Sequence, residues 1–304
     1  MVFAGTPIAA VPALKILIES SHDIVSVLTQ PPARSGRGRT IHPSPIESLA
    51  HEHGIAVLTP DKVSTVEKEL RALSPDCIPV VAYGQLIPAN MLNIPSHGWV
   101  NLHFSLLPAF RGAAPVQHAI WRGEDMTGAT TFVLDAGMDS GPVLGTMVEP
   151  IEPRDTTGSL LKKLSESGAV LLRQTIDALD NGLLTPVAQP HDGVTYAPKI
   201  ERVDARIEWS NPAMEIDRRI RAMTPSPGAW TTTSDGGSFV IDPIALVDLE
   251  EALPPGHIRI EKNRVLVGTA TKPVELSMLT PQGRKSMRAA DWARGLRQLP
   301  ERFM

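Results

Sequence analysis

Cysteine is almost absent from this sequence, and long apolar runs are missing. A single cysteine, Cys77, excludes an internal disulfide and a thiolate cluster for zinc. No apolar run approaches the ~18 residues that a membrane-spanning helix needs. The N-terminal residues also lack the basic and long apolar stretches of a secretory signal. We therefore expect a cytoplasmic protein without a membrane anchor.

Charge is close to balanced. The net charge of −4 argues against a protein enveloped by nucleic acid. Residues 1–199 carry 14 Lys+Arg against 19 Asp+Glu, whereas residues 200–304 carry 15 against 14. The local balance thus moves from −5 to +1, which is compatible with an RNA-facing surface in the second part of the chain.

The first 184 residues alternate short apolar runs with helical patterns, which predicts a mostly parallel sheet flanked by helices. Gly5 follows the first strand as in a nucleotide-binding turn, but the other glycines of G-x-G-x-x-G are missing, so a dinucleotide enzyme is rejected. Pro79 lacks the N–H that a central strand uses, so either its strand begins after it or a bulge lies there. The predicted strands are Met1–Ala4, Ile24–Thr29, Ala56–Leu58, Ile78–Ala82, Trp99–His103, Thr130–Leu134 and Pro142–Val148.

Composition changes after the long helix that is predicted to start at Thr156. Proline and polar residues across 185–203 predict a linker between domain 1–184 and domain 204–304. The second domain holds short β-like runs separated by glycine and proline, which predicts a small barrel.

Residues 100–115, V-N-L-H-F-S-L-L-P-A-F-R-G-A-A-P, hold the most informative pattern. Asn101 and His103 are two apart, so on a strand they point to the same face. An amide donor beside an imidazole can hold a carbonyl oxygen while a proton moves. Asp139 follows in D-A-G-M-D-S-G, whose glycines allow a backbone to approach a ligand. Each piece alone is more often structural, a satisfied pair or a turn; the complete pattern points to chemistry.

The whole string resembles the signature of 10-formyltetrahydrofolate-dependent formyltransferases, in which an Asn, a His and a later Asp are catalytic. These match Asn101, His103 and Asp139. The resemblance extends over nearly the whole chain to the methionyl-tRNA formyltransferases. Two departures are a slightly later start, for which we expect a short first strand, and Pro79. Further matches are F-A-G-T-P at the start, V-V-A-Y-G at 80–84, T-Y-A-P-K-I at 195–200, A-R-I-E-W at 205–209 and P-x-G-R-K-x-M at 281–287.

The resemblance implies a Rossmann-like catalytic domain followed by an OB-like domain that helps to hold tRNA. It implies 10-formyltetrahydrofolate as formyl donor and methionyl initiator tRNA as acceptor. We also expect no metal and a monomer. Leu86, Ile87, Leu106 and Leu107 could line the slot for the pterin ring, although core packing would explain each of them equally well. The segment implied to contact folate is Ser105, Leu106, Leu107 and Pro108.

A Gly/Pro-rich insertion at 30–45 carries Arg34, Arg37 and Arg39. It is either a solvated surface loop or a mobile basic finger for phosphates. In the family that the chain resembles, this loop reaches the acceptor end of the initiator tRNA, and Arg37 matches its important arginine. The resemblance therefore implies that the three arginines contact tRNA.

In such a reaction the amine of methionyl-tRNA attacks the formyl carbon, and an oxyanion forms. Asn101 can donate to the oxyanion, His103 can donate to it or move a proton, and Asp139 can orient His103 or accept a proton through water. The sequence leaves open which group takes the proton of the amine. Two rival functions are a sugar-nucleotide formyltransferase, which would carry a different C-terminal domain, and a catalytically silent RNA-binding module.

Overall fold

The structure, a computed structural model, describes residues 1–35, 40–249, 252–296 and 300–304. Its contacts group these residues into two units. Unit 1 contains residues 1–115, 126–150 and 161–197, and unit 2 contains residues 116–125, 151–160 and 198–304. Within the described ranges, no helix is long and apolar enough to cross a bilayer.

Unit 1 is built on a seven-stranded sheet. Its strand order is β5-β2-β1-β6-β7-β8-β9, with parallel pairing from β5 to β7 and antiparallel pairing of β8 and β9. The predicted strands and the mostly parallel sheet are therefore confirmed. The strands up to this point of the chain are β1 (Val2–Gly5), β2 (Ser26–Leu28), β3 (Ala33–Ser35), β4 (Thr40–His42), β5 (Ala56–Leu58), β6 (Ile78–Val81), β7 (Trp99–His103), β8 (Met126–Val133) and β9 (Val143–Pro150).

The long helix α6 begins at Thr157, one residue after its predicted start at Thr156. In α2, the Ser44 hydroxyl accepts the Glu47 N–H at 3.0 Å, a capping bond that starts the helix. The long helix α6 ends before Gly182, whose φ of +65° is a helix stop that glycine adopts without strain. The helices are α1 (Val11–Ile18), α2 (Pro45–Glu52), α3 (Glu67–Leu73), α4 (Ala89–Leu92), α5 (Pro115–Arg122), α6 (Thr157–Asp180), α7 (Ala213–Met223) and α8 (Ala289–Arg294).

Pro79 lies inside β6, so both expectations for it are wrong. The strand begins one residue earlier, and Pro79 pairs in regular register with Val100 of β7. On the other side of β6, pairing with β1 is recorded only from Val80 onward. The Val2 N–H donates to the Cys77 carbonyl at 3.4 Å, so β1 already lies beside the residue that precedes β6. Pro79 supplies no N–H to the hydrogen bonds on that side.

Buried side chains on both faces fix β7, the strand that carries Asn101 and His103. Trp99 is fully buried, and its indole N–H donates to the Met91 carbonyl at 2.8 Å. On α6, Gly168 lies against Leu102, to which an added Cβ would be 3.2 Å distant. Close packing on both faces leaves β7 little freedom to shift.

The basic insertion is not a plain loop in its described part. β3 and β4 pair antiparallel, with Arg34 opposite Ile41, so the expectation of a loop is wrong for these flanks. The reason is local: Ala33–Ser35 and Thr40–His42 can each form a short run of backbone hydrogen bonds. Arg37 and Arg39 lie outside the described residues.

Unit 2 contains two four-stranded antiparallel sheets, ordered β10-β11-β16-β17 and β12-β15-β14-β13. The predicted small β domain is confirmed in this form. A short 3₁₀ helix, Arg202–Ala205, and helix α7 precede the sheets. The strands are β10 (Trp230–Thr232), β11 (Ser238–Ile241), β12 (Ala245–Leu246), β13 (Ile258–Glu261), β14 (Arg264–Val267), β15 (Val274–Leu276), β16 (Met278–Pro281) and β17 (Met287–Arg288).

Leu160, Leu164, Leu172 and Ile176 are buried and form a stripe along α6, which gives a test of the core. Leu172 is fully buried, whereas Val170 on the same helix is 41% exposed. We expect Leu172→Ala to lower the free energy of unfolding by roughly 2–5 kcal/mol, because it leaves a cavity. Val170→Ala should change it by less than about 0.5 kcal/mol. Urea titrations of both variants would measure this, and equal losses would contradict the assignment of the stripe to the core.

Candidate active site

The carboxyl end of β7 opens into a cavity of about 510 Å³ within unit 1. Asn101 and His103 project from the same face of the strand and both line this cavity, as their spacing predicts. Asp139 lines it from the loop that follows β8. The structure therefore brings together the three residues that the sequence singles out.

Hydrogen bonding to the backbone fixes the orientation of the His103 ring. Its Nε2 lies 2.9 Å from the Phe110 carbonyl oxygen, and a carbonyl can only accept, so we assign the proton of the neutral ring to Nε2. Nδ1 then carries the lone pair. It lies 3.8 Å from Oδ2 of Asp139, too far for a direct hydrogen bond but close enough for strong charge coupling.

Burial controls the protonation of His103, whose side chain is only 8% exposed. Burial lowers the pKa of His103, while the Asp139 carboxylate and the hydrogen bond to the Phe110 carbonyl act in the opposite direction and raise it. Burial dominates, so the imidazole is neutral at pH 7. A neutral ring with a free Nδ1 can accept a proton inside the cavity.

The D-A-G-M-D-S-G loop holds Asp139 in an unusual backbone conformation, with φ of +49°. Asp135 shapes the loop, because Oδ1 accepts both the Gly137 N–H and the Ser140 hydroxyl at 2.9 Å. Oδ2 of Asp139 accepts the Gly112 N–H at 2.7 Å. This charge-assisted bond directs the carboxylate toward His103.

Gly112 must be a glycine for two reasons. Its φ is +121°, and a Cβ at this position would lie 2.7 Å from the Ala197 carbonyl oxygen. The R-G pair in the signature thus allows the close backbone approach that presents an N–H to Asp139.

Asn101 stays available to a ligand. Its side chain is half-buried at the cavity wall, and among the described residues its amide makes no hydrogen bond. An amide that has not been satisfied within the protein can donate to a bound carbonyl oxygen without a change in charge.

The predicted folate-contacting residues divide into two groups. Leu86 and Ile87 line the cavity, and Leu86 is 94% exposed, so core packing does not explain it. Ser105, Leu106, Leu107 and Pro108 are absent from the cavity lining. Their role as folate contacts stays a prediction.

In the structure, the segment 105–108 supports the turn that leads to Phe110. The Ser105 hydroxyl donates to the Ala109 carbonyl at 2.7 Å, and the Leu107 N–H donates to the Thr130 hydroxyl at 3.2 Å. The Leu107–Pro108 peptide bond is cis. These contacts join the turn to β8 and to the backbone that holds His103.

Sequence reasoning missed Gln189 and Thr195. Both come from the stretch that was predicted as a linker, and both bond to the loops around the cavity. Thr195 begins the T-Y-A-P-K-I match, which could have marked it. No local pattern marks Gln189, because its partners are 50 and 78 residues distant in the sequence.

A second cavity of similar volume in unit 1 is lined by His22, Arg173 and Asp177. Asp177 already accepts from His22 at 2.8 Å and from Arg173 at 2.5 Å, so these groups satisfy each other. None of the predicted site residues lies there. Within the described part of the chain, no cluster of three or more His, Cys, Asp or Glu could hold a metal ion.

Comparison with known proteins places the chain in a family. A model described as "Formyl transferase" matches residues 1–176, and "Formyl transferase, C-terminal domain" matches residues 199–297. The chain is 52% identical to the methionyl-tRNA formyltransferase of Salinispora tropica, over 98% of this chain and 97% of that protein. It is 54% identical to that of Mycobacteroides abscessus, over 98% and 97%.

Solved structures agree on the fold. A sugar 3N-formyl transferase, determined with dTDP and 5-N-formyl-THF, superposes with a TM-score of 0.69, 17% identity, and coverage of 93% of this chain and 98% of that one. Fold, cavity and family models together define a formyl-transferring enzyme. The chain belongs to the methionyl-tRNA formyltransferase family.

Titration of His103 tests the electrostatics of the site. We expect an imidazole pKa below the ordinary ~6.5. The negative charge of Asp139 raises this pKa, so its removal in Asp139→Asn should lower the pKa further. NMR of the labelled ring would measure both. The control is Asp180→Asn, on the exposed end of α6, which should leave the titration curve of His103 unchanged. An upward shift in Asp139→Asn would refute the proposed coupling.

Proposed function

We propose that Asn101, His103 and Asp139 carry out the reaction of this family. In that reaction, the formyl group of 10-formyltetrahydrofolate passes to the α-amino group of methionyl initiator tRNA, giving formylmethionyl-tRNA for translation initiation. One observation carries the assignment: a neutral, buried His103 directs Nδ1 toward Asp139 in a cavity that Asn101 also lines.

The cavity fits the folate donor in size and chemistry. Its volume of about 510 Å³ lies within the ~300–1,000 Å³ of small-molecule sites. Leu86, Ile87 and Leu134 supply an apolar wall for a flat ring, and the polar trio lies at the end of β7. The side chain of Leu86 is 94% exposed, so it is accessible to a ligand.

The geometry supports the following proposal for the proton steps. The amine attacks the formyl carbon, and the oxygen of the tetrahedral centre accepts a hydrogen bond from the Asn101 amide. His103 Nδ1 takes the proton from the attacking nitrogen and passes it to the departing folate nitrogen, so the ring ends neutral as it began. The Asp139 carboxylate, which accepts the Gly112 N–H, stabilises the transient imidazolium.

Two regions support binding of the tRNA acceptor. Arg34, Arg37 and Arg39 of the basic insertion are proposed to contact phosphates near the acceptor end. In unit 2, the Arg219 guanidinium lies 4.9 Å from the centre of the Trp121 ring, and Arg202 lies 5.5 Å from that of Trp230. Arginine paired with an aromatic face suits both phosphate and base contacts.

The rival functions fit less well. The match to a formyltransferase C-terminal domain over residues 199–297 argues against the different C-terminal domain of a sugar-nucleotide enzyme. A silent RNA-binding module would not need a cavity in which three polar groups converge. We propose that the enzyme acts in the cytoplasm as a monomer, which light scattering of the purified protein would test.

The decisive experiment offers 10-formyltetrahydrofolate with methionyl initiator tRNA, an amino-sugar nucleotide or glycinamide ribonucleotide. We expect formylation of the tRNA, and turnover that falls roughly 10²–10⁴-fold in His103→Ala and Asp139→Asn, the range for loss of a general acid–base group. Transfer to the sugar nucleotide alone would overturn the acceptor assignment. Near-normal turnover in well-folded variants would overturn the trio.

The basic insertion has its own test. We expect Arg37→Ala to impair turnover of charged tRNA more than folate binding, with a loss on the order of 1.5–3 kcal/mol, the contribution of one charge-assisted hydrogen bond. Kinetics on initiator tRNA and folate titration would be compared with wild type, and Lys68→Ala on α3 serves as the control for charge. Unchanged tRNA kinetics would mean that Arg37 makes no productive contact.

A further inference from the structure

The stretch of residues 189–197, here the connecting segment, lies between the two family-model matches, which cover residues 1–176 and 199–297. In unit 1 it runs beside the end of the signature. The Arg111 N–H donates to the Thr195 carbonyl at 2.9 Å, and the Ala197 N–H donates to the Arg111 carbonyl at 2.7 Å. A segment that a sequence pattern assigns to a linker is thus bonded to the backbone next to the catalytic histidine.

Thr195 holds both peptide groups that flank Phe110. Its hydroxyl accepts the Phe110 N–H at 2.8 Å, and its carbonyl accepts the Arg111 N–H. The second peptide group contains the Phe110 carbonyl that accepts from His103. Phe110 has a φ of +59°, a left-handed conformation that is costly for a bulky residue. The direction of that carbonyl, and through it the His103 ring, depends on Thr195.

Gln189 does the same for Asp139. Its Nε2 donates to the Asp139 carbonyl at 2.8 Å and to the Gly141 carbonyl at 2.9 Å. Its Oε1 accepts from Arg111, at 2.6 Å from Nη2 and 3.2 Å from Nε. Both donors and both acceptor positions of the amide are therefore used. One side chain ties the Asp139 loop to the residue that follows Phe110.

From these contacts we propose that the connecting segment positions the catalytic pair, Thr195 acting on His103 through Phe110 and Gln189 acting on Asp139. The inference rests on the proposed function of that pair. Neither residue lines the cavity, so both are positioning residues. They set how often His103 Nδ1 and the Asp139 carboxylate lie in the productive arrangement. Misplacement of a catalytic group by about 1 Å can lower the rate ~10²-fold.

Thr195 allows a matched pair of variants. Thr195→Val keeps the size and removes the acceptor of the Phe110 N–H, whereas Thr195→Ser keeps the hydroxyl. We expect kcat to fall about 10–100-fold in Thr195→Val, with KM for the folate donor within about 3-fold of wild type. Thr195→Ser should recover most of kcat. A role in folding alone would not separate kcat from KM, nor require a hydroxyl.

Gln189→Glu gives an independent test of the second contact. The carboxylate can still accept from Arg111, but it has no N–H for the Asp139 and Gly141 carbonyls and places an oxygen against them. We expect a similar fall in kcat with little change in KM for the donor. The control is Val187→Ala, whose side chain is 65% exposed just outside the connecting segment; it should behave as wild type.

Steady-state kinetics on methionyl initiator tRNA and melting curves would be measured for wild type and the four variants. The proposal is overturned if Thr195→Val and Gln189→Glu, folded as wild type, keep normal kcat. It is also overturned if Thr195→Ser loses as much as Thr195→Val. Failure of the proposed function would look different, because wild type itself would then transfer no formyl group to the tRNA.

Discussion

The hydrogen bond from His103 Nε2 to the Phe110 carbonyl is the constraint on which the chemistry of the site depends. It decides which ring nitrogen carries the proton, and therefore which one faces the cavity with a lone pair. It also contributes to the pKa of His103, partly offsetting the effect of burial. A histidine held in the opposite tautomer would direct an N–H toward Asp139 and could not take a proton from an amine there.

The site combines two kinds of support. β7 is held rigidly by close packing, with Trp99 buried on one side and Leu102 against Gly168 on the other. The loops around it are held by hydrogen bonds instead. Asp139 and Phe110 in these loops both have positive φ values, which non-glycine residues adopt only when other contacts hold them. Packing fixes the backbone position of His103, and hydrogen bonds fix the orientation of its ring and of the Asp139 carboxylate. Both are needed for a geometry that chemistry can use.

Sequence reasoning predicted the part of the site that depends on local periodicity. The spacing of Asn101 and His103 places them on one face of a strand because side chains alternate with a period of two. It did not predict the turn at Phe110 or the tautomer of His103, since both depend on contacts from a distant stretch. Pro79 shows the same limit, because its place inside β6 depends on the register with the neighbouring strands. The register between neighbouring strands cannot be inferred from a single sequence.

The energetics of Phe110 explain why the connecting segment must remain bonded to the turn that contains Phe110. A non-glycine residue in the left-handed region costs of order 1–3 kcal/mol, and each hydrogen bond contributes about 0.5–1.5 kcal/mol net. Two such bonds are the one from the Phe110 N–H to the Thr195 hydroxyl and the one that the Phe110 carbonyl accepts from the His103 ring. The two bonds together are worth about as much as the strain. Loss of either would leave about half of the strain uncompensated, so the carbonyl that orients His103 is set by contacts rather than by the intrinsic preference of the backbone.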